Sequence, residues 1–435
     1  MRGPPSNHRQ SGGSSDTWTV YSDKQRRSFL LILFLVSTSN VVDRQILTVL
    51  LEPIKVEFGV TDTMLGLLSG LTFAVFYVTL GLPIARLADY ANRKLIIGIS
   101  LTVWSVMTVL CGGAHTFFQL VLARAGVGAG EAGAIPPSQS LLVDYFPPDR
   151  RSFALGVFFL SAAAGNVLGL VIGGQVADAF GWRWTFVIFG IPGVFLAFLV
   201  WFVLDEPRRL PQFSVNKFKM ETFSRAATVL VKKKSFVNSV IGLVLYYTLI
   251  YGAQTFSISF VIRTQELSLA LASAYVGGVG LVAAILGNLF GGWLADKLSA
   301  RNEAWLARIP AYGFLIAMPL FLASYMPQSL TTFLILLSLG LFVLMMAAPP
   351  LFSCLHAVCG SSRRATAIAL AYFFANLFGL GLGPVIAGVL SDYFAKTMGE
   401  AEGLRYALAT LTILFIPSAV FMLKASKTIA NELED

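Results

Sequence analysis

The sequence predicts an all-α membrane protein: twelve transmembrane helices in two pseudo-symmetric six-helix bundles, with both termini in the cytoplasm. Of its 435 residues 56% are hydrophobic and 13% charged, with mean hydropathy +0.73; a soluble domain carries about a quarter charged residues. Twelve apolar runs are each long enough to cross a hydrocarbon core of ~30 Å. The basic residues gather in the short segments between those runs, which is the positive-inside pattern. Composition therefore argues against a soluble enzyme, a nucleic-acid binder or a disordered scaffold, and the net charge of +9 reports topology, not a polyanion partner.

The first six runs lie at roughly 29–51, 64–86, 95–114, 117–141, 153–177 and 184–204. The second six lie near 236–262, 269–295, 308–326, 330–355, 365–390 and 404–424. Five units follow: a disordered cytoplasmic tail 1–27, an N-terminal bundle 28–204, a cytoplasmic linker 205–235, a C-terminal bundle 236–425 and a cytoplasmic tail 426–435. With the N-terminus inside, inner segments hold 25 Lys and Arg against five outside (Lys55, Arg183, Arg263, Lys396 and Arg405). The linker alternates cations with Phe213, Phe218, Phe223, Val229 and Leu230. That pattern suits either an interfacial helix on anionic lipid or a solvated, topology-setting segment. Cys111, Cys354 and Cys359 make neither a disulfide framework nor a zinc spacing, and no metal site or cofactor is expected.

Four helix ends repeat with a period of three helices. Helix 2 ends Ala85-Arg86-Leu87-Ala88-Asp89 and helix 5 ends Gly174-Gln175-Val176-Ala177-Asp178. Helix 8 ends Gly292-Trp293-Leu294-Ala295-Asp296 and helix 11 ends Gly388-Val389-Leu390-Ser391-Asp392. Three-helix repeats nested in two six-helix halves are the architecture of a secondary transporter. The chain resembles the major facilitator superfamily, whose signature run after helix 2 corresponds here to Ala85–Lys94, with Ala85, Tyr90 and Asn92 departing from it. Asp89 would sit against a helix N-terminus of the opposite half, and Arg93 would bond nearby acids or carbonyls. Together with Lys94, Asp296 and Lys297 they would latch the cytoplasmic side shut; the plainer reading is that these charges only set topology.

Ionisable residues deep in a span are costly and mark function by default. Four stand out: Asp43 and Arg44 on helix 1, Arg124 and Glu131 on helix 4. At 1.5 Å per residue Asp43 lies roughly 12 Å, Arg124 roughly 10 Å and Glu131 roughly 21 Å below the outer ends, so Asp43 and Arg124 are level and Arg124 and Glu131 share a helix face. The four sum to zero charge. They suit proton coupling, in which protonating an acid frees an arginine, or else a static ion pair between helices 1 and 4.

Two local words narrow the family. Asn40-Val41-Val42-Asp43-Arg44, together with Arg124-Ala125-Gly126-Val127-Gly128-Ala129-Gly130-Glu131-Ala132, resembles the Spinster branch, as does Gly181-Trp182-Arg183-Trp184. The compact length is similar to that of a bacterial homologue. This resemblance implies proton-linked transport through Asp43, Arg44, Arg124 and Glu131, an amphipathic lipid-like or anionic substrate, and a location in the inner (plasma) membrane as a monomer surrounded by membrane lipid. Helices 1, 4, 7 and 10 would line the cavity. Asn40 and Arg44 then meet Tyr246, Tyr247, Tyr251, Gln254 and Thr255 of helix 7, and Met345, Met346, Ser353 and Cys354 of helix 10.

Asn166, Asn288 and Asn376 lie inside spans and are expected to hydrogen-bond between helices, or else to contact substrate. Scattered His8, His115 and His356 supply no catalytic constellation, so a membrane lipid enzyme is disfavoured. No nucleotide-binding motif points to a primary pump. A channel fits the nested repeat poorly. An uncoupled facilitator, or a drug or sugar transporter of the same fold, is the nearest competitor.

Overall fold

The computed structural model describes residues 17–207, 223–326 and 329–433. Helix 1 runs Asp23–Phe58, starting at a capping box between Ser22 and Gln25 and ending on Gly59 at φ +61°. Helix 2 is built from Asp62–Gly66, a π turn Leu67–Leu71 and Thr72–Tyr90; helix 3 is Arg93–Gly112. Helix 4 is Phe117–Glu131, a short break, and Ile135–Tyr145, where Pro136 and Pro137 open the second piece. Helix 5 runs Arg151–Asn166 into a π turn Val167–Ile172. The stretch Gly173–Val203 that follows is parted at Gly181 (φ +81°), beyond which lies helix 6.

In the second half helix 7 is Lys234–Gln265, helix 8 Leu269–Ser299, helix 9 Trp305–Ser324 and helix 10 Leu330–Ala357. Helix 11 is Gly360–Phe374, a π turn Ala375–Leu380 and Gly381–Met398. Helix 12 is Glu400–Leu411, a 3₁₀ turn Thr412–Leu414 and Phe415–Glu432. Among the described residues ten continuous stretches are long and apolar enough to cross a membrane. One of them, Pro148–Val203, contains two crossing helices, and helix 4 is absent from the ten because it is broken, so the twelve-helix architecture stands.

The helices overrun the expected unit boundaries at both ends. Helix 1 begins at Asp23, inside the expected tail, and a 3₁₀ turn Thr17–Val20 precedes it; Tyr21 is buried edge-on to Phe29 and Tyr145. Helix 12 continues to Glu432. The Glu432 carboxylate accepts hydrogen bonds from the backbone N–H groups of Lys234 (3.0 Å) and Ser235 (2.8 Å), capping the start of helix 7. Of the linker, 208–222 lie outside the described residues, and Phe223–Lys232 is helical. Its buried side, Ala226 and Leu230, packs on the second half instead of facing lipid.

The two halves meet along two seams, helix 2 against helix 11 and helix 5 against helix 8, both tightest in their outer parts. A Cβ on Gly66 would strike the Pro384 carbonyl, and one on Gly388 the Asp62 carbonyl, so only glycine permits this approach. Asn166 and Asn288 do not bridge helices: each donates to a carbonyl four residues back, Ala162 (2.8 Å) and Ala284 (2.7 Å). Helices 5 and 8 present glycine to each other at Gly174 and Gly277, and the asparagines satisfy themselves within their own turns.

Candidate functional site

Helices 1 and 4 bring the four expected charges into one buried region, but with different partners from those the depths imply. Arg44 Nε donates to Glu131 Oε2 at 2.8 Å, and Asn40 Nδ2 donates to the same oxygen at 2.9 Å. Asp43, 2% exposed, accepts instead from the Thr108 hydroxyl of helix 3 at 2.8 Å. Among the described residues no ion pair joins Asp43 to Arg124, although the two charges lie near enough to interact. Arg124 is 1% exposed, and its Nε and Nη1 have no hydrogen-bond partner among the described residues; neither has Glu131 Oε1.

Aromatic faces stand in for the missing bonds. The Arg44 guanidinium lies 4.8 Å from the Phe73 centroid and 4.7 Å from that of Tyr77, while Arg124 lies 5.7 Å from Phe73. Phe73 and Tyr77 are one turn apart on helix 2 and stack at 5.4 Å. Neither they nor Thr108 were expected, since helices 2 and 3 are not among the four assigned to the cavity. The available signal was an aromatic pair at i, i+4 spacing beside two intramembrane arginines. Of the Arg44–Glu131 pair only the cation stays accessible: its side chain is 27% exposed, against 0% for Glu131.

The second half supplies part of the expected surface. Tyr251 and Tyr77 both lie close enough to Arg44 to interact with its charge. Tyr247 hydrogen-bonds Tyr372 of helix 11 and contacts the Tyr251 ring at 5.4 Å. Gln254 Nε2 donates to Gln45 Oε1 of helix 1 at 3.3 Å, joining the halves. Tyr246 is turned away, buried against Phe314 with ring centroids 5.1 Å apart, and Cys354 is buried against Ser239. Both are packing residues here, which corrects their placement in the cavity. Met345 and Met346 form part of the helix 10 wall that receives Gly287 and Gly291 of helix 8; Ser353 is exposed.

Above this region the outer ends are locked by charge. Arg263 of helix 7 binds Glu52 of helix 1 (3.0 Å) and Asp62 of helix 2 (2.7 Å). Asp62 also accepts from Ser391 Oγ (2.6 Å) and pairs with Lys55 (3.0 Å), which reaches Glu400 (3.0 Å). Asp392 accepts the backbone N–H groups of Asp62 (3.0 Å) and Thr63 (2.8 Å). The carboxylate-on-helix-terminus contact expected of Asp89 at the inner face is thus made by its helix 11 counterpart at the outer face.

At the cytoplasmic end Arg93 is fully buried and turned into its own half, not across to the other. It pairs with Asp144 (2.7 Å) and Glu206 (2.6 Å) and donates to Ser140 (2.8 Å). The side chain of Asp89 lies outside the described residues. Lys94 is half-buried and Asp296 exposed, and Lys297 stands over the Trp293 ring of its own helix at 4.8 Å. In this conformation the halves are therefore tied at the outer end, and the expected inner latch through Arg93 is replaced by a brace within the first half.

Residues 33–384 match the family model for the Major Facilitator Superfamily. The chain belongs to the Major Facilitator Superfamily. It is 33% identical to an MFS-type efflux pump of Mycolicibacterium smegmatis, over 87% of each chain. It is 27% identical to a probable sphingolipid transporter, spinster homolog 1, of Arabidopsis thaliana, over 70% of this chain and 67% of that one. Among solved structures, a bacterial homologue of the human lysosomal transporter Spinster, in an inward-facing and unoccupied conformation, superposes with a TM-score of 0.87. Identity to it is 30%, over 95% of this chain and 99% of that one. The superfamily member is thus of the Spinster type: a multi-pass membrane transporter, not an enzyme.

Proposed function

We propose that this transporter is proton-coupled, works by alternating access, and moves an amphipathic, lipid-like or organic-anion substrate across the plasma membrane as a monomer. The observation that carries the reading is Arg44, a cation held by Glu131, flanked by two aromatic rings and still partly exposed. An anionic head would pair with Arg44, and an apolar tail would lie along Tyr247 and Tyr251 of the second half. Protonation of Glu131 would release Arg44 toward substrate, which couples the proton to binding. The proton is then the coupling ion, and no other cofactor is required.

In the opposite state the outer lock opens and the cytoplasmic ends close. Asp89, Lys94, Asp296 and Lys297 lie at that end and would join the halves there. The test is gradient-driven flux in proteoliposomes. Asp43→Asn and Glu131→Gln should abolish it while substrate counterflow persists; a response to a pH gradient equal to the parent's would reject the coupling assignment. Thermal-shift and flux screening across lysolipids, sphingoid phosphates, sugars and cationic drugs tests the substrate class. A preferred sugar would reject a lipid-like ligand. Drug efflux is the second reading, favoured by the similarity to an efflux pump.

A further inference from the structure

A concave space of about 490 Å³ lies on the outward-facing side of the second half, where helices 7, 11 and 12 meet. Leu390, Ile386 and Leu382 of helix 11 form one wall, Thr410 and Leu414 of helix 12 the second, and Leu245 of helix 7 the floor. The side chains that open it to the surroundings are themselves exposed: Ile386 at 38%, Ile413 at 54% and Phe378 at 41%. Its only polar lining groups are the hydroxyls of Thr248 and Thr410, and both are spent on carbonyls of their own helices, Val244 (2.8 Å) and Tyr406 (2.7 Å). Among the described residues the lining therefore offers no free hydroxyl donor and no charge for an ionic head.

We propose that this crevice is a binding site for one acyl chain of an outer-leaflet phospholipid. Depth and length agree. From Leu390 to Phe378 the lining spans roughly 18 Å at 1.5 Å per residue, close to one leaflet of a ~30 Å hydrocarbon core. One turn beyond the lining, toward the outer end, Phe394 and Tyr406 meet with ring centroids 6.0 Å apart, and Tyr393 and Lys396 lie exposed on the last turns of helix 11. Tyrosine at headgroup level and a cation beside it are the usual anchors of a lipid at that depth.

The driving force is dispersion, because lipid tails are as apolar as the walls. An unfilled crevice forfeits contacts on three sides, whereas a chain on a flat helix face touches only one. Irregular backbone borders the deep end of the space, the 3₁₀ turn Thr412–Leu414 on helix 12 and the π turn Ala375–Leu380 on helix 11. The opposite side of helix 11 forms the seam with helix 2. A seated chain therefore backs the wall that meets the other half.

The experiment uses the full chain in bilayers containing phosphatidylcholine with nitroxide-labelled acyl chains. A bimane fluorophore is attached through Ile413→Cys at the crevice or Phe195→Cys on the exposed face of helix 6; the three native cysteines are buried. Quenching at 413 should reach its midpoint at a label fraction on the order of three- to tenfold lower than at 195, the range a few extra dispersion contacts supply. Filling the space with Ile386→Trp, or separately Thr410→Phe, should bring the 413 curve onto the 195 curve. Coincident curves in the parent, or an early midpoint that survives both filling variants, would overturn the proposal.

Discussion

The carboxylate of Asp392 accepts the backbone N–H of Thr63 at 2.8 Å, so the first turn of a helix in one half is capped from the other half. Helix N-termini leave donors unsatisfied, and losing a cap costs about 0.5–2 kcal/mol. In Asp392→Ala that loss falls on the outward-closed state alone. The closed population should drop about two- to thirtyfold relative to the open one. Spin labels at the outer ends of helices 1 and 7 would report it as a longer-distance component in pulsed electron resonance.

Arg263 is the larger determinant of the same closure. It is 6% exposed and engages two carboxylates of the opposite half. Hydrogen bonds between charged groups contribute about 1.5–3 kcal/mol, so Arg263→Gln should shift the equilibrium toward outward-open on the order of ten- to a hundredfold. Reactivity of a cysteine placed at Gln254, just inside the lock, should rise with it.

Close packing at the seam gives a steric version of that experiment. Gly66→Leu would drive a side chain into the Pro384 backbone. The protein should fold, because the clash exists only between halves, yet it should fail to close outside. Outer-face labelling should then be high and independent of substrate.

Phe73 serves two arginines at once, at 4.8 Å from Arg44 and 5.7 Å from Arg124. A desolvated cation–π contact is worth about 0.5–2 kcal/mol. Phe73→Leu keeps bulk but removes the ring face, so driven flux should fall about two- to thirtyfold per contact. Phe73→Tyr should retain most of it. Equal losses in both variants would reduce Phe73 to packing.

Arg93 belongs to stability. Its guanidinium is wholly buried between Asp144 and Glu206. Breaking a buried pair by removing one partner costs about 3–5 kcal/mol. Arg93→Ala should therefore lower the melting temperature sharply in detergent, and the conformational equilibrium of the surviving protein should change little.

The architecture was legible because apolar length and the bias of Lys and Arg are properties of a span read alone. Asp43, Arg44, Arg124 and Glu131 were found for a similar reason: a charge is conspicuous in an apolar run. Their pairing was not legible. It depends on side-chain direction and on a third helix, since Thr108 takes Asp43 and leaves Arg44 to Glu131. The outer lock was missed because Lys55 and Arg263 sit among loop charges, where sequence assigns them only to topology. The repeat did carry the right chemistry at Asp392, but nothing in it told which face would be closed.

The π turns in helices 2, 5 and 11 bear on how relatives should be compared. A π turn bonds i to i+5, not i to i+4, so it houses one residue more than the α turn it replaces. A relative whose helix 2 is regular throughout would be one residue shorter between Asp62 and Pro83. An alignment that forbids gaps within helices would then misassign every position on one side of Leu67–Leu71, Phe73 and Tyr77 among them.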